Sequence, residues 1–303
     1  MGKLPTMRSD KSEILPYNFK NYFVFIGTER LSDHPNRCMF NHWHDDLEIV
    51  IPIQGNMVYN INGDLIRLEP GKGVFVNSNQ IHYGFSPDDS DCVFIYALWH
   101  PMLLCATNEI ESEYVNPIVK NSSIPYLKLN VQCDWHHSLM DDVLKMHEQL
   151  SERAAPLVLQ SYIFDIWHTI FVNTTQERKR SASVSPQLSI LKDMLSFIHD
   201  GYHEKMTLNE IADSGNISIS NCNVIFKKYL KESPIKYLLN YRLMKSTELL
   251  ISSAMPITEV AFEVGFSNPS YYIDAFKKAY GNTPNDYRKK HRKADVFEEY
   301  TDN

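Results

Sequence analysis

Short apolar runs separated by polar turns fill the N-terminal third of the chain. The runs have the alternating or continuously apolar character of strands, and they cover residues 22–26, 47–53, 57–61, 65–68, 74–76 and 93–98. Asn62-Gly63-Asp64 has the sequence of a hairpin turn, and Pro70-Gly71-Lys72-Gly73 has that of a second turn. Strands that follow one another so closely predict a small all-β barrel.

The spacing of apolar residues becomes helical between residues 134 and 175. One helical face carries four apolar side chains, Leu139, Val143, Met146 and Leu150. A second strongly apolar segment follows Pro156. The apolar faces of two such helices must be buried against another surface, and the sequence is consistent with two packing partners. One is a second copy of the chain, with these four residues as the seam, and the other is the chain's own barrel.

The last third of the chain contains one pattern twice. Residues 208–228 have the sequence LNEIADSGNISISNCNVIFKK, and residues 257–278 have the sequence ITEVAFEVGFSNPSYYIDAFKK. Each copy has the first helix, the turn and the second helix of a helix-turn-helix, so the duplication predicts two such units. Apolar residues at helical spacing from Pro234 to about Ser252 predict one long helix between them.

Residues at the predicted helix starts and turns agree with this pattern. Thr207 and Glu210 form a capping-box sequence before the first helix. Gly215-Asn216 and Gly265 stand in the turns, where a positive φ is required.

The second helix of each unit should begin at a serine. Ser218 and Ser267 stand at the expected N-cap positions, and Pro269 suits a first turn because a missing N–H has no consequence there. Phe226 and Phe276 close the two apolar faces.

Residues 186–293 resemble the DNA-binding domain of the AraC/XylS family of bacterial transcription regulators. The resemblance is strongest in ITEVAFEVGFS at residues 257–267, and it continues through Tyr271-Tyr272, Phe276-Lys277-Lys278, Thr283-Pro284 and Tyr287-Arg288. It implies that the chain binds double-stranded promoter DNA, works with RNA polymerase and forms a homodimer through the helices of residues 134–175.

Two recognition helices are expected to enter neighbouring major grooves about 34 Å apart, a separation that the long helix could set. Counting back from the two phenylalanines gives the outward positions: Ser220, Asn221, Asn223, Val224 and Lys227 in the first helix, and Asn268, Pro269, Ser270, Ile273, Asp274 and Lys277 in the second. Asparagine can bond adenine through two hydrogen bonds, and aspartate can accept from cytosine but repels phosphate. The basic run of residues 288–293 suits phosphates.

Family members often have Arg at the positions of Val224 and Asp274. This chain departs from the family where base contacts are expected, so we expect an unusual sequence specificity. The second motif would then contribute mostly positioning.

A second resemblance lies in the N-terminal part. The pattern His42-x-His44-x3-Glu48-x6-Gly55 is similar to the first motif of the cupin barrel, and residues 73–82 are similar to the second. At residues 79 and 81 the chain has Asn and Ile, where cupins prefer Pro and Gly. That departure weakens a metal assignment more than a fold assignment. AraC/XylS sensors commonly have such a barrel, so the resemblance, over about residues 20–105, implies a ligand-sensing domain.

Four residues supply the donors of a three-histidine, one-glutamate metal site, and these are His42, His44, Glu48 and His82. The first two histidines would share one strand face because side chains alternate. Three roles are open for this set: a metal site, direct contact with a small effector such as a sugar, or a polar lining of the barrel mouth. Aromatic candidates for the effector pocket are Trp43, Tyr59, Tyr83 and Trp99. No cofactor is required.

Charge is divided unevenly along the chain. Residues 186–293 carry 15 Lys and Arg against 11 Asp and Glu, whereas residues 1–185 carry 15 against 22. The basic part is the one expected to meet nucleic acid. Five cysteines without CxxC spacing indicate a reducing cytoplasm, and no apolar run approaches the ~20 residues of a membrane span.

The predicted layout is a cupin-like sensing barrel (residues 1–130), a helical dimerisation segment (131–176), a linker (177–186), an all-α double helix-turn-helix (187–293) and an acidic tail (294–303). We expect a ligand-responsive transcription regulator, of carbohydrate or related metabolic genes, without catalytic residues. Two other classes are open: a metal-dependent cupin enzyme with an appended DNA-binding domain, and an architectural DNA-binding protein without a ligand.

Overall fold

In the computed structural model the chain folds as two compact units, Met1–Ser185 and Pro186–Asn303. The structure describes residues 6–7, 13–174 and 186–298. The predicted linker, apart from its last residue, lies outside the described residues. Of the predicted acidic tail only the backbone of residues 294–298 is described.

Two antiparallel sheets build the first unit. Besides the short pair Thr6–Met7 and Glu13–Ile14, its strands are β1 (Val24–Arg30), β2 (Leu47–Gly55), β3 (Met57–Ile61), β4 (Asp64–Leu68), β5 (Lys72–Val76), β6 (His82–Phe85), β7 (Cys92–Trp99) and β8 (Tyr126–Asn130). The strand orders are β8-β5-β2-β7-β1 and β4-β3-β6. The predicted β-rich fold of this unit, followed by two helices, is confirmed. Strands β6 and β8 were missed because neither carries a clear run of apolar residues.

The hairpin between β3 and β4 has the predicted turn. Asn62 and Gly63 both have positive φ, at 51° and 93°, and Ile61 lies opposite Asp64. Two central residues with positive φ make a type I′ turn, whose twist matches that of the flanking strands.

Side-chain alternation along β2 separates two cores. Leu47, Ile49 and Ile51 belong to the core on one face of the five-stranded sheet, and Val50 belongs to the core shared with the second sheet. Because neighbouring residues of a strand point to opposite faces, Glu48 shares the face of Val50.

Two helices, α1 (Asp134–Glu148) and α2 (Ala155–Asn173), cover the first of these cores. Leu139, Val143 and Met146 are fully buried there, and Leu150 packs at its edge. The predicted dimer seam of these four residues is therefore wrong. The chain's own sheet covers them, since that contact is made without the entropy cost of association.

The second unit is helical. Its helices are α3 (Pro186–Gly201), α4 (Leu208–Ser214), α5 (Ile219–Leu230), α6 (Pro234–Ser252), α7 (Ile257–Glu263), α8 (Pro269–Tyr280) and α9 (Pro284–Glu298). The pairs α4–α5 and α7–α8 are the two predicted helix-turn-helix motifs, and α6 is the predicted long helix between them. Phe226 and Phe276 are fully buried, as predicted. None of the described helices is long and apolar enough to span a membrane.

The two motifs turn at different residues. In the first turn Asn216 takes the positive φ, at 52°, whereas Gly215 lies at −92° and does not. In the second turn Gly265 takes it, at 89°. The predicted capping box of Thr207 and Glu210 is confirmed.

The helix caps were predicted correctly in one motif and wrongly in the other. Ser218 accepts a hydrogen bond from the Asn221 N–H at 3.3 Å, as predicted. The cap of α8 is Asn268 rather than Ser267, and its Oδ1 accepts from the Ser270 N–H at 2.8 Å. Because Pro269 is the first residue of the helix, the N-cap is the residue directly before it, Asn268.

Candidate sensor cluster and nucleic-acid interface

A cluster of three imidazoles and a carboxylate is buried in the first unit. Its members, His42, His44, Glu48 and His82, are at most 8% exposed. His82 begins β6, and its backbone pairs with that of His42 through an isolated bridge. The expectation that the first two histidines share a strand face is wrong, because β2 begins only at Leu47. The bridge to His82 brings His42 to the cluster.

Short distances join the cluster around Glu48. The Nε2 atom of His82 lies 2.9 Å from the carboxylate Oε2, and that of His44 lies 3.8 Å from the same oxygen. The Tyr59 hydroxyl donates to the other carboxylate oxygen at 3.2 Å. The ring of His42 packs against that of His82, with 4.4 Å between centroids. The structure thus brings together all four predicted polar residues and one predicted aromatic residue.

Each imidazole uses its Nδ1 atom for a main-chain carbonyl two residues away. The distances are 2.9 Å for His42, 3.0 Å for His44 and 2.8 Å for His82. A carbonyl only accepts, so Nδ1 carries a proton in each ring, and Nε2 keeps its lone pair in the neutral rings of His42 and His44. The ligand nitrogens of the three rings lie within 4.8 Å of one another. Histidines that bind metals are oriented in this way, so the donor set fits a divalent transition metal.

Burial and neighbouring groups set the protonation of the cluster. Burial, followed by the neighbouring His82, lowers the pKa of His42 to about 4. Burial also holds the pKa of His44 well below its usual range. Burial raises the pKa of Glu48, but the imidazoles, His82 foremost, outweigh it and lower that pKa to about 2. Two neutral imidazoles and a carboxylate at neutral pH suit a cation or the hydroxyl groups of a polar ligand.

Two of the other three aromatic candidates lie elsewhere. Tyr83 follows His82 on β6 and therefore points to the opposite face, where its hydroxyl accepts a hydrogen bond from Asn60 at 3.1 Å. Trp99 belongs to the core beneath the helices. Trp43 is buried. Two of the four predicted pocket aromatics are thus placed away from the cluster by strand alternation.

The outward face of α5 carries most of the residues predicted for it. Exposed side chains are Ser220, Asn221, Val224 and Lys227. Asn223 is half-buried, and its amide donates to the Ile219 carbonyl at 3.0 Å. That bond uses one of the two amide N–H groups, and a bidentate contact with adenine would use the other together with the amide oxygen.

The outward face of α8 differs from the prediction at Pro269 and Ile273, which are half-buried, and at Tyr271. Ser270, Asp274 and Lys277 are exposed as predicted, but Ile273 is half-buried against the core. Asn268 is exposed, yet its side-chain oxygen caps the helix. Tyr271 is 56% exposed and was missed. Its position five residues before Phe276 could have been used to predict that its side chain is exposed.

The basic run of α9 is only partly available at the surface. Arg288 donates to the carbonyls of Leu250 and Met255, at 3.2 Å and 2.6 Å, and so holds α9 against the end of α6. Lys289 and Lys290 are exposed. The expectation that Arg288 binds phosphate is therefore wrong, and the side chains of residues 292–293 lie outside the described residues.

The second helix of each motif is exposed over an aromatic core, and a buried polar cluster lies in a separate β-rich unit. These two features define a DNA-binding regulator with a sensor domain. Residues 25–166 match the AraC-like ligand binding domain. Residues 211–290 match a helix-turn-helix domain.

Relatives extend this similarity over most of the chain. The HTH-type transcriptional regulator YdeC of Bacillus subtilis is 32% identical over 251 residues, which cover 82% of this chain and 85% of the relative. The melibiose operon regulatory protein of Escherichia coli is 23% identical over 260 residues, 84% of this chain and 85% of the relative. The HTH-type transcriptional activator RhaS of E. coli is 22% identical over 255 residues, 82% and 86% of the two chains. The chain belongs to the AraC family of transcription regulators.

Proposed function

We propose that the chain binds promoter DNA through α5 and α8 and changes transcription when a small molecule occupies the sensor cluster. The observation that supports this most is the repetition of one motif: α5 and α8 each carry polar side chains outward over a fully buried phenylalanine. One helix in each of two major grooves is the arrangement such a repeat suits.

The connection between the motifs supports a fixed spacing. Arg242 of α6 donates to the Tyr202 carbonyl at 2.6 Å, at the end of α3. The same guanidinium lies against the turn of the second motif, where a Cβ on Gly265 would be 2.9 Å from its Nε. One half-buried side chain of α6 thus contacts the turn of the second motif and the segment that precedes the first motif, which restricts the movement of the second motif relative to α3. Adjacent grooves about 34 Å apart require such restriction.

The proposed DNA contacts are Ser220, Asn221, Asn223, Lys227, Asn268, Ser270, Ile273, Asp274 and Lys277. Asn221→Ala is expected to cost about 1–3 kcal/mol at the cognate site only, because it removes a base contact. Lys227→Ala is expected to weaken all sequences alike and to lower the salt slope by about one, because it removes a phosphate contact. Binding titrations on cognate and random duplexes measure both. Unchanged affinity and sequence preference in both variants would contradict the assignment.

The proposed effector is a small polar molecule, a carbohydrate or a related metabolite. A buried carboxylate with three imidazoles costs stability unless it binds something, and its groups are those that bond hydroxyls. Support for a sugar comes from one relative, the melibiose operon regulatory protein.

The effector site is tested by His44→Ala with a panel of mono- and disaccharides. The variant is expected to lose the effector response and to keep operator binding, because the altered residue lies in the other unit. His168→Ala, an exposed histidine of α2, is the control and should respond normally. Loss of operator binding together with the response would indicate misfolding and would remove the support for this site.

A divalent transition metal is the second proposed occupant, since the orientation of the imidazoles favours it. Nε2 of His42, His44 and His82 and the carboxylate of Glu48 would hold the ion, which would act as a Lewis acid toward a ligand oxygen. Elemental analysis of protein purified without chelator is expected to give about one ion per chain, and His82→Ala is expected to lose it. A wild-type content well below one would contradict this occupant.

We also propose a homodimer, with α2 as its interface. Leu157, Phe164 and Val172 are 76%, 41% and 49% exposed and follow one face of the helix. Sedimentation of the full chain at tens of micromolar is expected to show a dimer, and Phe164→Glu to shift it to monomer. A strict monomer in the wild type would contradict this interface.

RNA polymerase is the proposed protein partner at the promoter, and the cytoplasm is the proposed compartment. The regulator would act by binding, without turnover of its effector. Consumption of any effector by the purified protein would favour the alternative of a cupin enzyme with an appended DNA-binding domain.

A further inference from the structure

One apolar side chain interrupts the polar outward face of α5. Val224 is 56% exposed. Ser220 and Asn221 lie one helical turn before it, and the exposed Lys227 and Lys228 lie one turn after it. Residues three and four apart are neighbours on a helix surface, so Val224 lies in the middle of this polar strip.

Folding does not account for a valine at this position. The side chains that α5 buries, Cys222, Ile225, Phe226 and Tyr229, lie on the opposite side of the helix. Valine is also a poorer helix former than alanine, because its branched side chain loses rotamer freedom against the preceding turn.

The surroundings of Val224 favour a nucleic acid as its partner. Val224 lines a shallow groove of about 540 Å³ together with Asn223, Lys227, Lys228, Glu232 and Ser233. Two exposed ammonium groups beside an apolar contact complement the phosphates and the base edges of a DNA major groove.

We infer that Val224 recognises thymine by contacting its 5-methyl group. Among the four bases only thymine presents a methyl group in the major groove. This inference rests on the proposed entry of α5 into that groove. Two residues before the buried phenylalanine, the first motif has Val224 and the second has Asp274. The first motif therefore contacts an apolar base edge at the position where the second presents a carboxylate.

The experiment uses the full chain and a duplex selected from random sequence by binding to it. Each thymine of the selected site is replaced in turn by deoxyuridine, which removes only the methyl group. At one thymine the wild type is expected to bind about fourfold more weakly, the effect of leaving one methyl group unburied. Val224→Ala is expected to bind the thymine and deoxyuridine duplexes equally.

Val131→Ala is the matched control, because Val131 is 41% exposed but lies in the turn after β8 of the other unit. It should keep the fourfold discrimination. Wild-type binding that is insensitive to deoxyuridine at every position would overturn the inference, as would a fourfold loss that persists in Val224→Ala. Failure to select any duplex would instead contradict the proposed DNA-binding function.

Discussion

The candidate functional side chains of the two units differ in burial: those of the first unit lie in its interior, and those of the second unit lie at its surface. In the first unit His44, His82 and Glu48 are buried at 5% exposure or less. In the second unit Asn221 and Asp274 are exposed on helices whose opposite sides form the core. A buried polar group must be matched by neighbours from distant parts of the chain, whereas an exposed one is matched by water or by a partner. Substitutions in the two units should therefore have different consequences.

Two carboxylates, one in each unit, differ in the direction of their pKa shift. Burial raises the pKa of Glu48, but three imidazoles reverse the effect and lower it to about 2. Burial raises the pKa of Glu232 to about 7, and Lys236 and Asn240 lower it only in part. Neighbouring groups, not residue type, decide the direction.

The largest effect is expected from Phe276→Ala in the core of the second unit. The fully buried ring contacts those of Tyr272, Tyr280 and Tyr287, and its removal is expected to cost about 3–5 kcal/mol. All four tryptophans lie in the first unit, at positions 43, 99, 135 and 167. Far-UV circular dichroism should show early loss of helix in urea while the tryptophan fluorescence transition stays unchanged.

Tyr271→Ala is the control for that variant, since Tyr271 lies on the same helix but is exposed. It should leave both transitions in place. A tryptophan transition that moves together with the loss of helix in Phe276→Ala would show that the units unfold as one, contrary to the comparison.

Gly265→Ala is expected to destabilise the second unit by about 3 kcal/mol. The residue has a φ of 89°, and an added Cβ would lie 2.5 Å from the Tyr202 carbonyl oxygen. Gly281→Ala has a similar φ of 73° but no atom within 4 Å of the new Cβ, so about 1 kcal/mol of backbone strain is expected. The urea midpoints of the two variants are compared. Equal decreases in stability would mean that close packing around Gly265 contributes nothing to the effect.

Glu232→Gln should remove a pH dependence of the second unit. A raised folded-state pKa means that the contribution of Glu232 to stability is fully present below its ordinary pKa of 4.5 and is lost as pH rises through about 7. The wild type should therefore lose on the order of 2 kcal/mol between pH 5 and pH 8. Glutamine keeps an acceptor for Asn240 and should abolish that loss. Circular dichroism in urea at several pH values tests this, and an identical pH profile in both proteins would refute it.

The smallest effects concern the helix caps. Ser218→Ala and Asn268→Ala should each cost about 1 kcal/mol, because each removes the acceptor for a free N–H at a helix start. Ser267→Ala should cost much less, since Ser267 does not cap α8. Thermal unfolding measures all three, and a larger loss in Ser267→Ala than in Asn268→Ala would reverse the assignment of the cap.

Local sequence determined the features that depend on neighbours along the chain. The capping box at Thr207 and Glu210, the turn at Asn62-Gly63 and the bounds of α6 were all correctly predicted. Each depends on backbone conformation or helical periodicity within a few residues, so the residues that specify it are adjacent in sequence. The repeat of the helix-turn-helix motif was visible for the same reason.

Tertiary structure decided what covers each surface. Leu139, Val143 and Met146 had the pattern of an interface, but the chain's own sheet covers them. Arg288 had the charge of a phosphate contact, but two carbonyls more than thirty residues away in the sequence bind it.

The sensor cluster combined both kinds of information. Its residue types could be read from the sequence, but its geometry depends on the bridge between His42 and His82 and on the face that Glu48 takes on β2. Periodicity gives the face of a residue within its own strand or helix. Which group meets that face is set by contacts between segments far apart in sequence, and only the folded chain brings those segments together.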